Sequence, residues 1–463
     1  MGQASNNSSF TMLAGPYAVG FRALDLIDAT RTYRANVSFN GAPQMRDRAR
    51  PVQTSIWYPA VKGTGQALRY GDYLDLWSRQ DGKPSAAQVR EFRQMLRRAC
   101  AETRSRSECD VLFEASVSAR RDAQAARGRH PVVVYNAGGG KPSFDNSVLD
   151  EYLASYGYVV IASPNTWNWS QTRRVGKSIE SAEASARDIE FHIGYARYLQ
   201  YADTKKLAVM GYSWGGLAAT LVGMRNSAVQ AVVSLDGSIR NPGKLYESAP
   251  LHDPDTLCGA FLQLSSNPAR SLLGARLRGH AVSEEMLTAQ PPFEFFDALR
   301  NVDAYSGTML HFHHGNFSAF DTLFDTDRVA GEPTLADDLE GYAVMAETVR
   351  HFLDAYVRRD SVALAWLQQP VARPDVIQLT EKRASRALPN TVEAYAAYLH
   401  RHGLDALKSA VVRERASDAG YGLSELEIEE WAHQLGHEDR EDLAHALRRL
   451  AVELSVNRSQ GAK

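Results

Sequence analysis

The sequence predicts an α/β protein in which a mostly parallel sheet is covered by helices on both faces. Short apolar runs such as PVVVY and YVVIA are bounded by turn residues, as expected of strands buried on both faces. Patterns with helical spacing of apolar residues alternate with these runs, which favours parallel strands joined by helices. The chain has 463 residues, of which 44% are hydrophobic and 23% charged, enough for one large domain plus a smaller one.

The predicted elements follow one another in the order that such a sheet needs. RPVQTSIWYPA alternates between two faces and predicts a half-buried strand that stops at Pro59. NSVLDEYLASYG predicts a helix that ends at Gly157 and separates PVVVY from YVVIA. A longer helix is predicted near residues 178–200. The runs LAVM, AVVSLD, GAFLQL and GTMLHF then predict four further strands.

Two segments depart from this alternation. Residues 61–129 are highly charged and contain helical stretches such as AAQVREFRQMLRRA, which predict a helical insertion within a main domain of residues 1–375. Beyond QQPVARPDV the sequence offers short amphipathic helices and no strand candidate. It therefore predicts a small helical appendage over residues 388–463, where Ser424 and Glu427 form a capping box.

Composition excludes several classes of protein. The 52 Lys and Arg against 54 Asp and Glu leave a formal charge of −2, so no nucleic-acid surface is expected. No stretch approaches the roughly 18 apolar residues of a membrane span. The N-terminus lacks the pattern of a secretory signal. The protein could still be secreted or periplasmic with a leader that is absent from this sequence, and the sequence does not predict the oligomeric state.

The three cysteines allow two arrangements. Cys100 and Cys109 either form a disulfide and leave Cys258 over, or all three are reduced thiols.

The segment LAVMGYSWGGLAAT carries the main chemical signal. Gly211-Tyr212-Ser213-Trp214-Gly215 fits the pattern G-x-S-x-G, between a buried strand and a helix of small residues. The two glycines permit strand and helix to approach closely, and the serine is expected in an unfavourable backbone conformation with its oxygen exposed. Ser213 is therefore predicted to be a nucleophile. The alternative is a tight turn in which the serine has no chemical role.

A serine nucleophile needs two N–H donors for the negative charge that develops on the substrate oxygen. Trp214 supplies one donor at the start of its helix. The segment Asn136-Ala137-Gly138-Gly139-Gly140, which follows PVVVY, is expected to supply the other. The same glycines do not fit a phosphate-binding loop, because Tyr135 stands where a glycine is required and Pro142 where Ser or Thr is required.

The base that activates the serine is expected late in the chain. GTMLHFHHGNFSAFDT offers His311, His313 and His314, and His314 is predicted because it is the first residue of the loop after the strand. On an extended strand His311 and His313 would share a face, which also admits a metal site. No carboxylate or cysteine stands nearby at ligand spacing, so no metal is predicted.

The acid that orients this histidine has several possible positions. SSNPARS, which follows GAFLQL, contains no carboxylate. The strand directly after the elbow helix ends in VVSLDGS, so Asp236 is predicted to reach the imidazole from a neighbouring strand. Asp253 and Asp303 remain alternatives, and Asp236 is otherwise a simple turn or helix-cap residue.

Together these segments resemble the platelet-activating-factor acetylhydrolase and dienelactone-hydrolase-like branch of the α/β-hydrolases, in its bacterial form, over roughly residues 12–360. The resemblance implies an α/β-hydrolase fold. In the acetylhydrolases the acid follows the strand after the elbow. Their histidine is the first residue of a motif that is matched here by His314-Gly315-Asn316-Phe317-Ser318-Ala319-Phe320. Matching the oxyanion segment implies that Gly139 is the second donor. This chain has Ala137-Gly138 where those enzymes have His-Gly.

These observations predict a serine carboxylic-ester hydrolase that acts through an acyl-enzyme on a small, short-acyl or lipid-like ester, without metal or cofactor. Trp167, Trp169 and Phe317, together with Trp214, are candidates for an apolar substrate wall, although ordinary loop packing explains them equally well. Two alternatives remain open. One is a cutinase-like hydrolase of polymeric esters, and the other is a binding module without catalysis.

Overall fold

The computed structural model describes residues 12–32, 49–80, 84–102, 104–165, 178–240, 245–250, 252–277, 279–285, 293–324, 333–384, 388, 390–417, 421–438 and 440–460. A sheet that contains eleven described strands forms its centre. The strands are β1 (Ala18–Thr32), β2 (Ala49–Ala60), β3 (Gln66–Arg69), β4 (Ser116–Arg121), β5 (His130–Asn136), β6 (Val159–Ser163), β7 (Ala202–Tyr212), β8 (Val229–Leu235), β9 (Ala260–Ser266), β10 (Ala304–Met309) and β11 (Ile377–Lys382).

The middle of the sheet is parallel and its margins are mixed. The strand order is β11-β10-β9-β8-β7-β5-β6-β2-β1-β4-β3. All neighbours from β10 to β6 in this order pair in parallel. The antiparallel pairs are β10–β11, β2–β6, β1–β2 and β3–β4. The mostly parallel sheet predicted from the sequence is therefore confirmed.

Helices cover both faces of the sheet, and successive residues of a central strand reach different cores. Val132 and Val134 of β5 lie in one hydrophobic core, whereas Val133 and Tyr135 lie in the other. This division follows from the two-residue period of a strand, and it explains why PVVVY is apolar at every position. The helices are α1 (Tyr70–Trp77), α2 (Ala86–Ala101), α3 (Arg106–Glu114), α4 (Ser147–Ser155), α5 (Ile179–Ala196), α6 (Trp214–Arg225), α7 (Pro268–Leu277), α8 (Glu294–Ala298), α9 (Ala319–Phe324), α10 (Leu335–Val357), α11 (Ser361–Gln368), α12 (Val392–His402), α13 (Leu404–Ser417), α14 (Glu425–His437) and α15 (Glu441–Gln460).

The predicted helical insertion at 61–129 is helical only in part. It contains α1, α2 and α3, but β3 and β4 extend the sheet beyond β1 on either side of these helices. A disulfide joins Cys100 of α2 to Cys109 of α3, so the bridged alternative for these two cysteines is the one found. Cys258 lies outside this pair.

The region after residue 375 also differs from its prediction. Ile377–Lys382 forms β11, which pairs with β10 although the sequence suggested no strand there. The segment IQLTEK is mostly polar because β11 is an edge strand, and its side chains are mostly half-buried or exposed. Farther on, α12 to α15 pack around a hydrophobic cluster of their own that includes Leu407 and Trp431. The division at 375–388 remains a prediction.

Among the described helices, none combines the length and the apolar character that crossing a bilayer requires.

Candidate active site

Ser213 lies at the joint between β7 and α6, as the sequence predicts. Its backbone has φ 55° and ψ −115°, a left-handed conformation that non-glycine residues rarely adopt. The Ser213 N–H donates to the carbonyl of Leu235 at 2.9 Å, and its carbonyl accepts from Ser238 N–H at 2.9 Å. These bonds to the neighbouring strand and turn hold the strained residue in place.

The glycines of the elbow allow three chain segments to meet. A Cβ atom on Gly211 would lie 2.1 Å from the carbonyl oxygen of Gly215. A Cβ atom on Gly215 would lie 2.0 Å from the carbonyl oxygen of Asn136 at the end of β5. Any larger residue at either position would separate the helix from the sheet, so the elbow requires glycine for close packing.

Asp236, His314 and Ser213 form a continuous chain of hydrogen bonds. His314 Nε2 lies 2.9 Å from Ser213 Oγ. His314 Nδ1 lies 2.6 Å from Asp236 Oδ2. The second carboxylate oxygen, Asp236 Oδ1, accepts from the Ser266 N–H at 2.8 Å. The His314 side chain is 53% exposed and that of Asp236 is 14% exposed, so the imidazole faces solvent while the carboxylate is held beneath it.

The sheet topology explains why Ser213, Asp236 and His314 lie close together. Ser213 follows β7 and Asp236 follows β8, and these two parallel strands are neighbours with their carboxyl ends at the same edge. His314 comes after β10, in a 3-10 turn that spans His314–Phe317. The Tyr212 hydroxyl donates to the His314 carbonyl at 3.0 Å, and the two rings lie 5.0 Å apart. Tyr212 therefore helps to place the histidine, a contact that the motif itself did not signal.

The alternative base candidates occupy other positions. Strand β10 ends at Met309, so His311 and His313 do not share a strand face as the metal-site alternative required. The ring of His313 instead caps the following turn, where its Nδ1 accepts from the Gly315 N–H at 3.0 Å. Within the described part of the chain, no group of three or more His, Cys, Asp or Glu side chains is arranged to hold a metal ion.

The alternative acids are also engaged elsewhere. Asp303 precedes β10, at the opposite end of that strand from His314, and accepts from Arg383 at 2.6 Å and from the Tyr356 hydroxyl at 3.0 Å. Asp253 caps a short 3-10 turn by accepting from the Asp255 N–H at 2.8 Å. Of the three candidates, the structure brings Asp236 to His314.

The loop after β5 presents its backbone close to the elbow. The Gly138 N–H donates to Asp145 Oδ2 at 3.0 Å, and the Gly140 N–H donates to the carbonyl of Asn165 at 2.9 Å. Gly139, the predicted donor, lies between these two anchored amides and is half-buried. Trp214 is the first residue of α6, where main-chain N–H groups point out of the helix.

Asp145 connects this loop to the histidine turn, and sequence reasoning missed it. Besides holding Gly138, its carboxylate accepts from the Tyr135 hydroxyl at 2.8 Å. Its main-chain carbonyl accepts from the Phe320 N–H at 2.8 Å and from the Ser318 hydroxyl at 3.0 Å. Burial raises the pKa of Asp145 to about 7. The string SFDNS that contains it reads as an ordinary turn, and nothing in its spacing signals these bonds.

The predicted substrate residues are placed less favourably. Phe317 is fully buried and packs edge-on against Phe312, with ring centroids 5.1 Å apart. It belongs to the core, so the prediction that it forms a substrate wall is wrong. Trp214 is also largely buried. Trp167 and Trp169 lie outside the described residues.

Comparisons with known proteins agree with the fold. Residues 119–254, which include the elbow and Asp236, match the description "Dienelactone hydrolase family". A solved structure of a ferulic acid esterase from Streptomyces cinnamoneus is similar, with a TM-score of 0.54 and 18% sequence identity. The alignment covers 80% of this chain and 100% of that one. No curated protein matches the chain.

The sheet, the elbow and these comparisons show an α/β-hydrolase fold. Residues 119–254 within it match the dienelactone hydrolase family, which agrees with the resemblance predicted from the sequence. These findings support carboxylic-ester hydrolysis as its chemistry. The resemblance to the acetylhydrolases remains a prediction.

Proposed function

We propose that this protein is a serine carboxylic-ester hydrolase that forms an acyl-enzyme on Ser213. One observation carries the proposal, namely the hydrogen-bond chain from Asp236 through His314 to Ser213 at the carboxyl edge of the sheet. The strained conformation of Ser213 supports it further, because strain of this kind clusters at functional sites. A tight turn without chemistry would need neither the exposed histidine nor the aligned carboxylate.

In the proposed reaction Asp236 accepts the Nδ1–H of His314, which leaves the Nε2 lone pair directed at Ser213 Oγ. As Oγ attacks the ester carbonyl carbon, Nε2 takes its proton and Asp236 stabilises the resulting imidazolium. The N–H groups of Trp214 and Gly139 donate to the negatively charged carbonyl oxygen. Loss of one such donor typically costs about 3–4 kcal/mol of transition-state stabilisation.

Water is the only further reagent that the proposed reaction needs to regenerate the free enzyme. The tetrahedral intermediate breaks its bond to the alcohol, which receives the proton from His314 and leaves. Water then attacks the acyl group on Ser213 while His314 again serves as base, and the carboxylic acid departs. Every atom and proton comes from the ester, water and the protein, so the proposal invokes neither a metal nor a cofactor.

We propose a small or short-acyl ester as the substrate, similar to the substrates that the acetylhydrolase resemblance implies. The similar Streptomyces protein, described as a ferulic acid esterase, adds aromatic esters to the set worth testing. We also propose an oxidising compartment. The Cys100–Cys109 disulfide supports this, because such bonds persist mainly outside the reducing cytosol.

The test is a panel of p-nitrophenyl esters of increasing acyl length, together with methyl ferulate and a polyester film. Wild-type protein should hydrolyse short esters fastest, and Ser213→Ala should lower kcat by about 10⁴-fold or more. Ser238→Ala is the matched control and should retain activity within a few-fold, because Ser238 donates to the Ser213 carbonyl through its main-chain N–H, which alanine keeps. Retained turnover in Ser213→Ala contradicts the proposal.

Two outcomes would favour the alternatives. Release of soluble monomers from the film at a rate above that of the short esters would favour the polymer hydrolase. Failure of a fluorophosphonate to label Ser213 in folded wild-type protein, together with inactivity on the whole panel, would favour a binding module.

A further inference from the structure

A cavity lies between α4 and the insertion, apart from the candidate active site. Its volume is about 300 Å³, and its walls come from residues 12–19, the segment from α3 to β4, helix α4 and Leu323. Small-molecule sites begin at roughly this size. None of the described residues that line it belongs to the hydrogen-bond chain at Ser213 or to the loop of Gly139.

The cavity contains a buried carboxyl group without a positively charged neighbour in its walls. Glu151 of α4 is only 8% exposed. Its Oε1 accepts from the Tyr73 hydroxyl at 2.6 Å, and its Oε2 accepts from the Ser118 N–H at 2.8 Å. The described lining residues include no Lys, Arg or His. Burial raises the pKa of Glu151 to about 7, as expected for a carboxylate that no cation compensates.

The aromatic side chains of the wall favour a positively charged ligand, as the buried carboxyl group of Glu151 does. Tyr17, Tyr70 and Tyr152 line the cavity, and tyrosine rings attract ammonium groups through their electron-rich faces. The Tyr70 hydroxyl is buried and has no hydrogen-bond partner among the described residues, a costly situation that a bound polar group would relieve. The nearby Arg350, which donates to the Tyr152 hydroxyl, is itself paired with Asp354 at 3.1 Å.

We propose that this cavity binds an organic ammonium ion, that is, an apolar molecule that carries a protonated primary amine. The ammonium group is placed near Glu151 and the Tyr70 hydroxyl, and the apolar part contacts Leu112 and Val148. Carboxylate ligands are disfavoured, because they would meet Glu151 with no cation in the wall to compensate them. The inference concerns binding alone and does not depend on the ester chemistry at Ser213.

Titration calorimetry of the full chain with three ligands of similar size tests the charge preference. The probes are 2-phenylethylamine, 2-phenylethanol and phenylacetate, at pH 8. There the Glu151 carboxyl is mostly ionised, whereas alkylammonium groups lose their proton only near pH 10. The amine should bind at least about tenfold more tightly than the alcohol, because hydrogen bonds to charged groups are the stronger ones. Phenylacetate should not bind.

Three variants locate the site. Glu151→Gln should weaken amine binding about tenfold and change alcohol binding little, because it removes the negative charge and keeps the size of the side chain. Val148→Trp should fill the cavity and abolish binding of both. Val111→Trp on α3 is the control, because Val111 is 67% exposed and lies outside the cavity, so binding should be unchanged.

Circular dichroism and thermal unfolding would verify that each variant is folded. If Glu151→Gln fails to fold, the three-ligand series on wild-type protein still decides. Equal affinity for amine and alcohol in wild-type protein overturns the proposal. So does wild-type amine binding by Val148→Trp, or no amine binding at millimolar concentration.

Discussion

Two clusters of charged and polar residues in this chain are built differently. In the cluster at the sheet edge, His314 is half exposed and both Ser213 and Asp236 have positive φ. In the cluster between β1, β2 and α5, Arg31 and Arg50 enclose Asp188 at 2.6 and 2.5 Å, and all three side chains are at most 7% exposed. The first cluster is strained and exposed, whereas the second is buried and held together by ion pairs.

The difference indicates that the cluster at the sheet edge serves catalysis and that the buried cluster serves stability. A base needs a free lone pair and room for substrate, so the edge cluster leaves its histidine open to solvent. The buried cluster has the opposite design. Burial alone would raise the pKa of Asp188, but the charges of Arg50 and Arg31 outweigh it and hold that pKa below its ordinary value. We therefore expect substitutions in the two clusters to affect different measured quantities.

Among the substitutions that test this comparison, Asp236→Asn is expected to have the largest effect. Asp236→Asn should lower kcat by about 10³- to 10⁴-fold, because the amide can no longer hold the imidazole in the required tautomer. The midpoint of thermal unfolding should change little, since the carboxylate is bonded mainly within the site. Ester hydrolysis at saturating substrate measures the first quantity, and calorimetry measures the second.

Asp303→Asn provides the control for this result. Asp303 is the rival acid in the sequence, but it is bonded to Arg383 and Tyr356 at the far end of β10. The kcat of Asp303→Asn should remain within a few-fold of wild type. A mild effect at Asp236 together with a severe one at Asp303 would show that the site is assigned to the wrong carboxylate.

The reverse pattern is expected at Asp188. Asp188→Asn removes the buried negative charge that Arg31 and Arg50 share, although Arg31 keeps its ion pair with Asp28, so the free energy of unfolding should fall by about 3–5 kcal/mol. At a temperature where the variant is folded, kcat should be unchanged. Because the folded-state pKa of Asp188 is lowered, its contribution exists above the ordinary value of about 4 and is lost as pH falls through the folded value. Denaturant titrations from pH 3 to 7 would measure this.

The matched control is Asp442→Asn. Asp442 forms an ion pair with Arg440 at 3.6 Å, but its side chain is 77% exposed. Exposed pairs contribute about 0–1 kcal/mol, so the unfolding free energy should hardly change. If Asp188→Asn were no worse than Asp442→Asn, the buried cluster would have no special role in stability.

How far the sequence predicts these features depends on whether a pattern is local. The parallel strands follow from apolar runs, and the elbow follows from five consecutive residues around Ser213. The edge strand β11 was missed because IQLTEK is mostly polar, and pairing with β10 is a long-range event. Phe317 was misassigned because an aromatic residue beside a catalytic candidate looks like a pocket residue, whereas the turn directs its ring into the core.

Asp145 combines properties of both clusters, and no sequence pattern signals its role. It is buried like Asp188, but its bonds connect the loop of Gly139 to the turn of His314. Asp145→Asn replaces one accepting oxygen by an NH₂ group, which cannot accept from both Gly138 and Tyr135. We expect kcat to fall about tenfold through looser positioning of the oxyanion loop, with KM changed less.

The pH dependence of stability tests whether burial keeps a proton on Asp145 in the folded protein. With its pKa raised to about 7, folded Asp145 keeps its proton between about pH 4 and pH 7, where the unfolded chain has lost it. It therefore stabilises the fold at low pH, and this contribution, roughly 4 kcal/mol, is lost as pH rises toward 7. Asparagine does not titrate. Asp145→Asn should thus be less stable than wild type at pH 5, and the deficit should shrink or reverse by pH 8. A deficit that is constant from pH 5 to 8 would mean that folded Asp145 is ionised over this whole range, so that burial does not raise its pKa.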